Sequence, residues 1–185
     1  MQLSYAQTPR RRVNHMDLKE VFNFVSPAIR DAALESACQL TTLGIRHALA
    51  GGLAVGAHGY VRATTYVSFL VGDEAFEHRG ALVVFKAGVP IKVGGVQIDY
   101  FSPASMGAQL ELVLDNPVVH EGLAVVPIEV LIYMKLTAGR RRDLLDVVEL
   151  IKVGVDVKSA REYLKLHADY LVPRFEELVN EALSE

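Results

Sequence analysis

Hydrophobic and polar positions change their period at about residue 126 of the chain. Before that point, short apolar and β-branched runs separated by glycine-bearing turns predict strands at residues 45–50, 65–71, 81–85, 91–93 and 96–101. After Pro127, apolar residues recur at helical spacing and predict helices at residues 128–137, 141–153, 156–168 and 173–183. The pattern therefore predicts a mixed α/β (α+β) core over residues 16–126 and a C-terminal helical region over residues 127–185 packed on it.

Helices are also predicted between the strands of the first part. Ser26 and Pro27 are the residue types favoured at an N-cap and at a first helical position, and apolar residues then recur on one face up to Gly44. The remaining pattern predicts a short helix over residues 53–58, a helix over residues 104–114, and either an edge strand or the entry to the next helix over residues 123–126.

The N-terminal residues 1–15 contain Pro9 and a run of three arginines, and we expect a flexible, solvated arm there. This segment lacks the apolar core of a secretory signal, and no apolar run approaches the roughly 20 residues of a membrane-spanning helix. We therefore expect a cytoplasmic protein with no membrane partner.

Composition narrows the class of protein further. The 185 residues are 51% apolar and 22% charged, which excludes a disordered chain, and the single cysteine excludes a disulfide framework. The formal net charge of -3 gives no electrostatic reason to expect nucleic acid as a partner. One local feature is unusual: no Asp or Glu occurs between Ser36 and Gly72.

Several common catalytic motifs are absent from the sequence. The six histidines do not have the spacing of a zinc site, and neither a phosphate-binding GxxxxGK[ST] loop nor a GxSxG nucleophile motif occurs. A dinucleotide-binding fingerprint is excluded as well, because the glycine spacing around Gly52 is wrong and no acid follows about 20 residues later.

Gly51 and Gly52 follow a predicted buried strand and precede a predicted helix. Paired glycines at such a turn allow phosphate oxygens to approach backbone N–H groups closely. An ordinary tight turn with no ligand is the alternative interpretation.

Two segments together resemble a known family. AGGLAVGAHGYVRAT at residues 50–64 and KLTAGRRRDLLDVVELI at residues 135–151 are similar to motifs of the nucleotidyltransferase superfamily with a polymerase-beta-like core, in the branch of AbiEii-type and minimal nucleotidyltransferases. The resemblance covers roughly residues 30–152. It implies a small mixed sheet flanked by helices, an Asp-x-Asp pair on the strand after the glycine turn, and a third acid on a neighbouring strand.

The chain departs from that family pattern at the metal-binding pair. Tyr66 and Ser68 stand where the resemblance places the two aspartates, and Asp99 is the one acid of the expected three that remains. Side chains two apart on a strand point to the same face, so the geometry of the pair is kept. Neutral hydroxyls do not replace carboxylates as ligands for Mg²⁺, so two-metal chemistry is not expected.

The resemblance also implies roles for other residues. Asp99 is the residual catalytic acid, and the expected phosphate- or nucleotide-binding residues are Gly51, Gly52, Lys135, Asp143 and Asp146. No metal and no resident cofactor are expected. Asp143 and Asp146 also have a structural interpretation, because acids in the first turn of a helix stabilise its N-terminus.

The favoured hypothesis is a catalytically degenerate nucleotidyltransferase-fold protein of bacterial type. It would act by binding or regulation in a toxin–antitoxin or phage-defence setting, with a nucleotide, a protein partner or a second copy of itself as partner. One alternative is an active enzyme that uses Mg²⁺ and a nucleoside triphosphate, with Asp99 and a ligand from Asp143 or Asp146. The other alternative is an interaction module without nucleotide binding, acting through the helical tail or through Arg140, Arg141 and Arg142.

Overall fold

The structure of the protein is a computed structural model that describes residues 18–120 and 122–184. The predicted arm over residues 1–15 lies outside the described residues. The strands are β1 (His47–Ala50), β2 (Tyr66–Val71), β3 (Phe76–Arg79), β4 (Leu82–Phe85), β5 (Lys92–Val93), β6 (Val96–Phe101), β7 (Val118–His120) and β8 (Leu123–Val125). The helices are α1 (Leu18–Phe24), α2 (Pro27–Thr42), α3 (Gly51–Ala57), α4 (Pro103–Met106), α5 (Glu111–Asp115), α6 (Ile128–Ala138), α7 (Arg141–Lys152), α8 (Val157–His167) and α9 (Val172–Ser184).

Six of the strands form one mixed sheet in the order β5-β6-β2-β1-β8-β7. β2 runs parallel to β6 and β1 runs parallel to β8, whereas β1 and β2 are antiparallel. This mixed sheet, with flanking helices and a helical C-terminal region, is the α/β fold class that the sequence predicts.

The start of α2 follows the prediction from the sequence. Ser26 is its N-cap, with the Ser26 hydroxyl accepting a hydrogen bond from the Ile29 N–H at 3.4 Å, and Pro27 is its first residue. Strands are confirmed within the predicted segments 65–71, 81–85 and 96–101, because these segments combine β-branched residues with turns on both sides.

Two assignments from the sequence need correction, and two strands were not predicted. Residues 104–114 do not form one helix, because Gly107 has φ 128° and ψ 132° and thereby separates α4 from α5. Residues 123–125 form a strand, but β8 lies inside the sheet and β7 forms the edge. The sequence pattern did not indicate β3 or β7, because both are short and half-polar or exposed.

One hydrophobic core is shared by the sheet and the C-terminal helices. Its fully buried members include Phe69 in β2, Leu131 and Ile132 in α6, Leu150 in α7 and Phe175 in α9. α6 is buried around most of its circumference, and α7 and α8 pack against it. The α6 helix therefore lies inside the molecule, in contact with α3, α7 and α8.

β3 and β4 form a separate two-stranded hairpin. Phe76 stacks on Phe85 with ring centroids 5.3 Å apart, and Phe85 contacts Tyr100 of β6 edge-on at 5.4 Å. Leu82 and Val83 remain exposed on β4. Aromatic contacts thus connect the hairpin to the main sheet.

Within the described ranges, no helix combines the length and the apolar character that crossing a membrane requires.

Candidate functional site

The strand register brings the residues of the predicted metal site together. Ser68 of β2 lies opposite Asp99 of β6 in the parallel pair, and Tyr66 lies opposite Gln97. Ala50, the last residue of β1, pairs with Ser68 on the other side of β2. Ser68 is therefore flanked by Asp99 on one side and by the start of the glycine turn on the other.

These residues line a cleft of about 510 Å³ between the sheet and α6. The remaining walls come from the end of β6, from α4, from the C-terminal half of α6 and from the start of α7. The lining residues are Gly51, Tyr66, Ser68, Asp99, Tyr100, Phe101, Met106, Leu131, Met134, Lys135, Thr137, Ala138, Arg140 and Asp143. Six residues predicted from the sequence thus meet at one place, namely Gly51, Tyr66, Ser68, Asp99, Lys135 and Asp143.

The two glycines of the turn have different surroundings. Gly51 has φ 61°, and a Cβ placed on it would lie 2.7 Å from Ser68 Oγ. A Cβ on Gly52 would instead meet Thr64 Oγ1 at 3.0 Å and Arg62 Nη1 at 3.3 Å. Gly51 therefore lets the backbone pass close to Ser68 at the cleft, whereas Gly52 allows close packing against the segment before β2.

A turn at Gly139 positions the charged residues of α6 and α7 beside the cleft. Gly139 ends α6 in the left-handed conformation, with φ 61°, and donates its N–H to the Lys135 carbonyl at 3.0 Å. Arg140 follows as the N-cap residue of α7, and Asp143 lies in the first turn of that helix. The sequence spacing between Lys135 and Asp143 is thereby converted into direct contact.

An ion-pair network of Arg62, Lys135, Arg140, Asp143 and Asp146 forms the back of the cleft. Lys135 Nζ lies 2.7 Å from Asp143 Oδ1 and 2.7 Å from Asp146 Oδ2. Arg62 binds Asp146 with two nitrogens, at 2.5 and 2.7 Å, and Arg140 Nε donates to Asp143 Oδ2 at 2.6 Å. Asp146 is buried within this network and does not line the cleft.

The network shifts the pKa of Asp143 and the pKa of Arg62. Burial of Asp143 would raise the pKa of its carboxyl, but hydrogen bonds from Arg140 and Lys135 outweigh that effect and the pKa is lowered. Burial of Arg62 would lower its pKa, but the hydrogen bonds to Asp146 outweigh burial and the pKa is raised. Both ionised forms are therefore favoured in the folded protein.

The donor set does not fit a two-metal site. Asp143 and Asp146 direct both of their carboxylate oxygens at cations of the network, so metal coordination by either would displace a buried positive charge. Asp99 shares the lining of the cleft with Tyr66 and Ser68, whose hydroxyls are neutral. Across residues 18–120 and 122–184, no group of three or more His, Cys, Asp or Glu side chains could hold a metal ion.

Sequence reasoning missed one member of the network. Arg62 lies in the segment between α3 and β2, where its guanidinium reaches Asp146 of α7 and also donates to the Ala63 carbonyl. Arg142 of α7 donates to the same carbonyl at 2.5 Å. The two acids of RDLLD require buried cations, but the sequence alone does not identify Arg62 as one, because 84 positions separate it from Asp146.

Comparison with known proteins finds similarity among solved structures. No protein-family model and no curated protein matches the chain. The structure is similar to that of an antigenic nucleotidyltransferase-like protein from Paracoccidioides brasiliensis, with a TM-score of 0.48 and 18% sequence identity. The match covers 86% of this chain and 93% of that one.

Proposed function

We propose that this protein is a nucleotidyltransferase-fold protein whose cleft has lost metal-dependent nucleotidyl transfer and acts by binding or regulation. The observation that carries the proposal is the pairing of Ser68 with Asp99 in parallel strands at the cleft. In the family that the sequence resembles, an acid occupies the place of Ser68 and another the place of Tyr66. The arrangement of the strands is kept here, and the charges are not.

The missing charges decide the chemistry. Two-metal phosphoryl transfer needs anionic oxygens that hold divalent cations against the transferring phosphate. Serine and tyrosine hydroxyls are uncharged at neutral pH, so the cleft offers Asp99 as its one carboxylate outside the ion-pair network. One carboxylate is too few to position two divalent cations.

Membership of the AbiEii-type branch, and with it a toxin–antitoxin or phage-defence role, extends this proposal. It is supported by the segment over residues 135–146, in which Lys135, Asp143 and Asp146 join in one network against the cleft. Expression of the protein in a bacterial host tests whether it acts as the toxin of a toxin–antitoxin pair. We expect no growth arrest, and an arrest that Asp99→Asn abolishes would contradict the loss of catalysis.

A transfer assay tests the proposal directly. The protein is incubated with labelled nucleoside triphosphates, Mg²⁺ or Mn²⁺, and protein or RNA acceptors. We expect label incorporation no higher than in a reaction without the protein. Transfer above that level which Asp99→Asn removes would establish an active enzyme instead, whereas transfer unaffected by Asp99→Asn would indicate a contaminant.

A further inference from the structure

We propose that the cleft binds a polyphosphate group in its metal-free form, with Arg140 and the Ser68 hydroxyl as principal donors. This inference rests on the proposed function, because it follows from the replacement of the two acids. It adds the chemical class of the ligand and the residues that recognise it.

The charge of the cleft is balanced without any metal. Its charged lining residues are the cations Lys135 and Arg140 and the anions Asp99 and Asp143, and tyrosine hydroxyls are uncharged at neutral pH. Two further carboxylates at positions 66 and 68 would make the lining strongly negative, and a polyphosphate would then need divalent cations to enter. With hydroxyls at these positions, a polyanion meets no net repulsion from the lining.

Ser68 is a cleft-lining residue that is only 2% exposed. A serine hydroxyl donates one hydrogen bond and accepts others, so it is able to bind a phosphate oxygen that enters the cleft. The absence of a side chain on Gly51 leaves this hydroxyl accessible from the cleft, because a Cβ there would lie 2.7 Å from Ser68 Oγ.

Arg140 supplies a charged donor at the mouth of the same cleft. Its hydrogen bond to Asp143 uses Nε, and its side chain is 65% exposed, so the terminal Nη groups remain available to a ligand. A guanidinium anchored at one nitrogen presents its remaining donors in a fixed plane, which suits phosphate oxygens. Arg140 lines the same cleft as Tyr66 of β2 and Asp99 of β6.

Neighbouring arginines are not equivalent to Arg140. Arg142 donates to the Ala63 carbonyl, and Arg141 does not line the cleft. Apolar residues occupy the opposite wall and could pack against a nucleoside attached to the polyphosphate, namely Phe101, Met106, Leu131 and Met134. The recognised chemistry is the polyphosphate, whether it is free or carried by a nucleoside.

Isothermal titration calorimetry tests the inference with ATP, tripolyphosphate and adenosine as probes, each in EDTA and in Mg²⁺. We expect ATP to bind in EDTA at least as tightly as in Mg²⁺, because the free polyphosphate has the higher negative charge. Equal affinity for tripolyphosphate and ATP would show that the polyphosphate alone is sufficient for binding. Tighter binding of ATP would show that the nucleoside also contributes to the affinity. Binding only in Mg²⁺, or binding of adenosine without tripolyphosphate, would overturn the inference.

Variants of the cleft residues test which side chains donate hydrogen bonds to the polyphosphate. Arg140→Gln should weaken ATP binding in EDTA about tenfold or more, because hydrogen bonds to charged groups are among the stronger ones. Ser68→Ala should weaken it severalfold, and Arg141→Gln serves as the matched control with unchanged affinity. Equal losses in Arg140→Gln and Arg141→Gln would indicate unspecific surface charge and overturn the assignment.

The two proposals fail in distinguishable ways. If the folded protein binds no polyphosphate in EDTA and also shows no nucleotidyl transfer, the present inference is wrong and the loss of catalysis stands. If transfer requiring Mg²⁺ and Asp99 is observed, the proposed function itself is wrong.

Discussion

Asp143 shows how a residue of the predicted site can serve structure and function together. Its carboxylate lines the cleft, yet both of its oxygens bind cations, Lys135 on one side and Arg140 on the other. An ion pair with this degree of burial is costly to break from one side, because the remaining charge is left uncompensated. We therefore assign Asp143 to holding Lys135 and Arg140 in position.

The lowered pKa of Asp143 predicts a dependence of stability on pH. Because the folded pKa lies below the ordinary value of about 3.9, the ionised carboxylate contributes stability above that value, and the contribution is lost as pH falls through the folded pKa. Urea unfolding at neutral pH should show Asp143→Asn destabilised by about 3 kcal/mol. As the pH falls below about 4, the difference from the unsubstituted protein should shrink.

Asp31→Asn is the control for this experiment, since Asp31 is exposed and paired only at the surface. It should cost less than about 1 kcal/mol at every pH. A loss in Asp143→Asn that stays constant into acid would show that the carboxylate charge is not the source of its contribution.

Gly51 and Gly94 are a matched pair of positions for testing the close contact between Gly51 and Ser68 at the cleft. Both have positive φ, 61° and 55°, but a Cβ on Gly51 would lie 2.7 Å from Ser68 Oγ while one on Gly94 would meet nothing within 4 Å. Gly94→Ala should cost about 1 kcal/mol from the backbone alone, and Gly51→Ala should cost at least about 1 kcal/mol more. Denaturant midpoints measure both, and equal losses would contradict the close contact with Ser68.

At the scale of elements, the β2–β6 pair carries the geometry of a metal site without its ligands. Residues 66 and 68 share one face of β2, and Asp99 lies opposite Ser68. The double change Tyr66→Asp and Ser68→Asp should therefore create a site that binds Mn²⁺ or Mg²⁺. The apo variant should be less stable than the original protein, because Ser68 is buried, and metal should restore stability.

Thermal shift and Mn²⁺ titration of this double variant measure the expected binding. Adding Asp99→Asn provides the control, and the triple variant should lose most of the affinity for the metal. A folded double variant with no metal-dependent shift would mean that positions 66, 68 and 99 do not converge as described.

The elements that the sequence predicts well are those with strong local signals. Ser26 and Pro27 define the start of α2, and the β-branched run before Gly72 defines β2. The prediction of a single helix over residues 104–114 was wrong because it gave the helical spacing of apolar residues more weight than Gly107. A glycine within a short helix is a frequent point of interruption. β7 has only three residues, and its own sequence pattern does not predict a strand. It is a strand because it pairs with β8.

The sequence predicts only those residues of the candidate site that have a local signal. Tyr66, Ser68 and Asp99 follow from strand periodicity together with the family resemblance, and their convergence depends on a register that the sequence does not display. Arg62 obtains its role from a contact with Asp146 of α7 that only the packed structure creates, whereas Arg140 and its partner Asp143 are three positions apart. Charged partners distant in sequence remain the least predictable part of the site.

For the molecule as a whole, the α/β part and the C-terminal helices share one buried core, so we expect them to unfold together. Phe175 of α9 is fully buried, and Phe175→Ala should lower the free energy of unfolding by about 3–5 kcal/mol while keeping a single transition. Leu183→Ala on the same helix is the control, since Leu183 is 77% exposed and should change stability by less than about 0.5 kcal/mol. Two separate transitions in denaturant would show that the helical region is an independent unit.

The way in which the β3–β4 hairpin is attached has a mechanical consequence. Within the described part of the chain, no ladder hydrogen bond joins the hairpin to the six-stranded sheet, and the contact of Phe85 with Tyr100 links the two. An aromatic contact restrains orientation less than a strand pairing does, so we expect the hairpin to tilt more readily than the strands of the sheet. Because Tyr100 also lines the cleft, we expect a change in the position of the hairpin to alter the cleft wall.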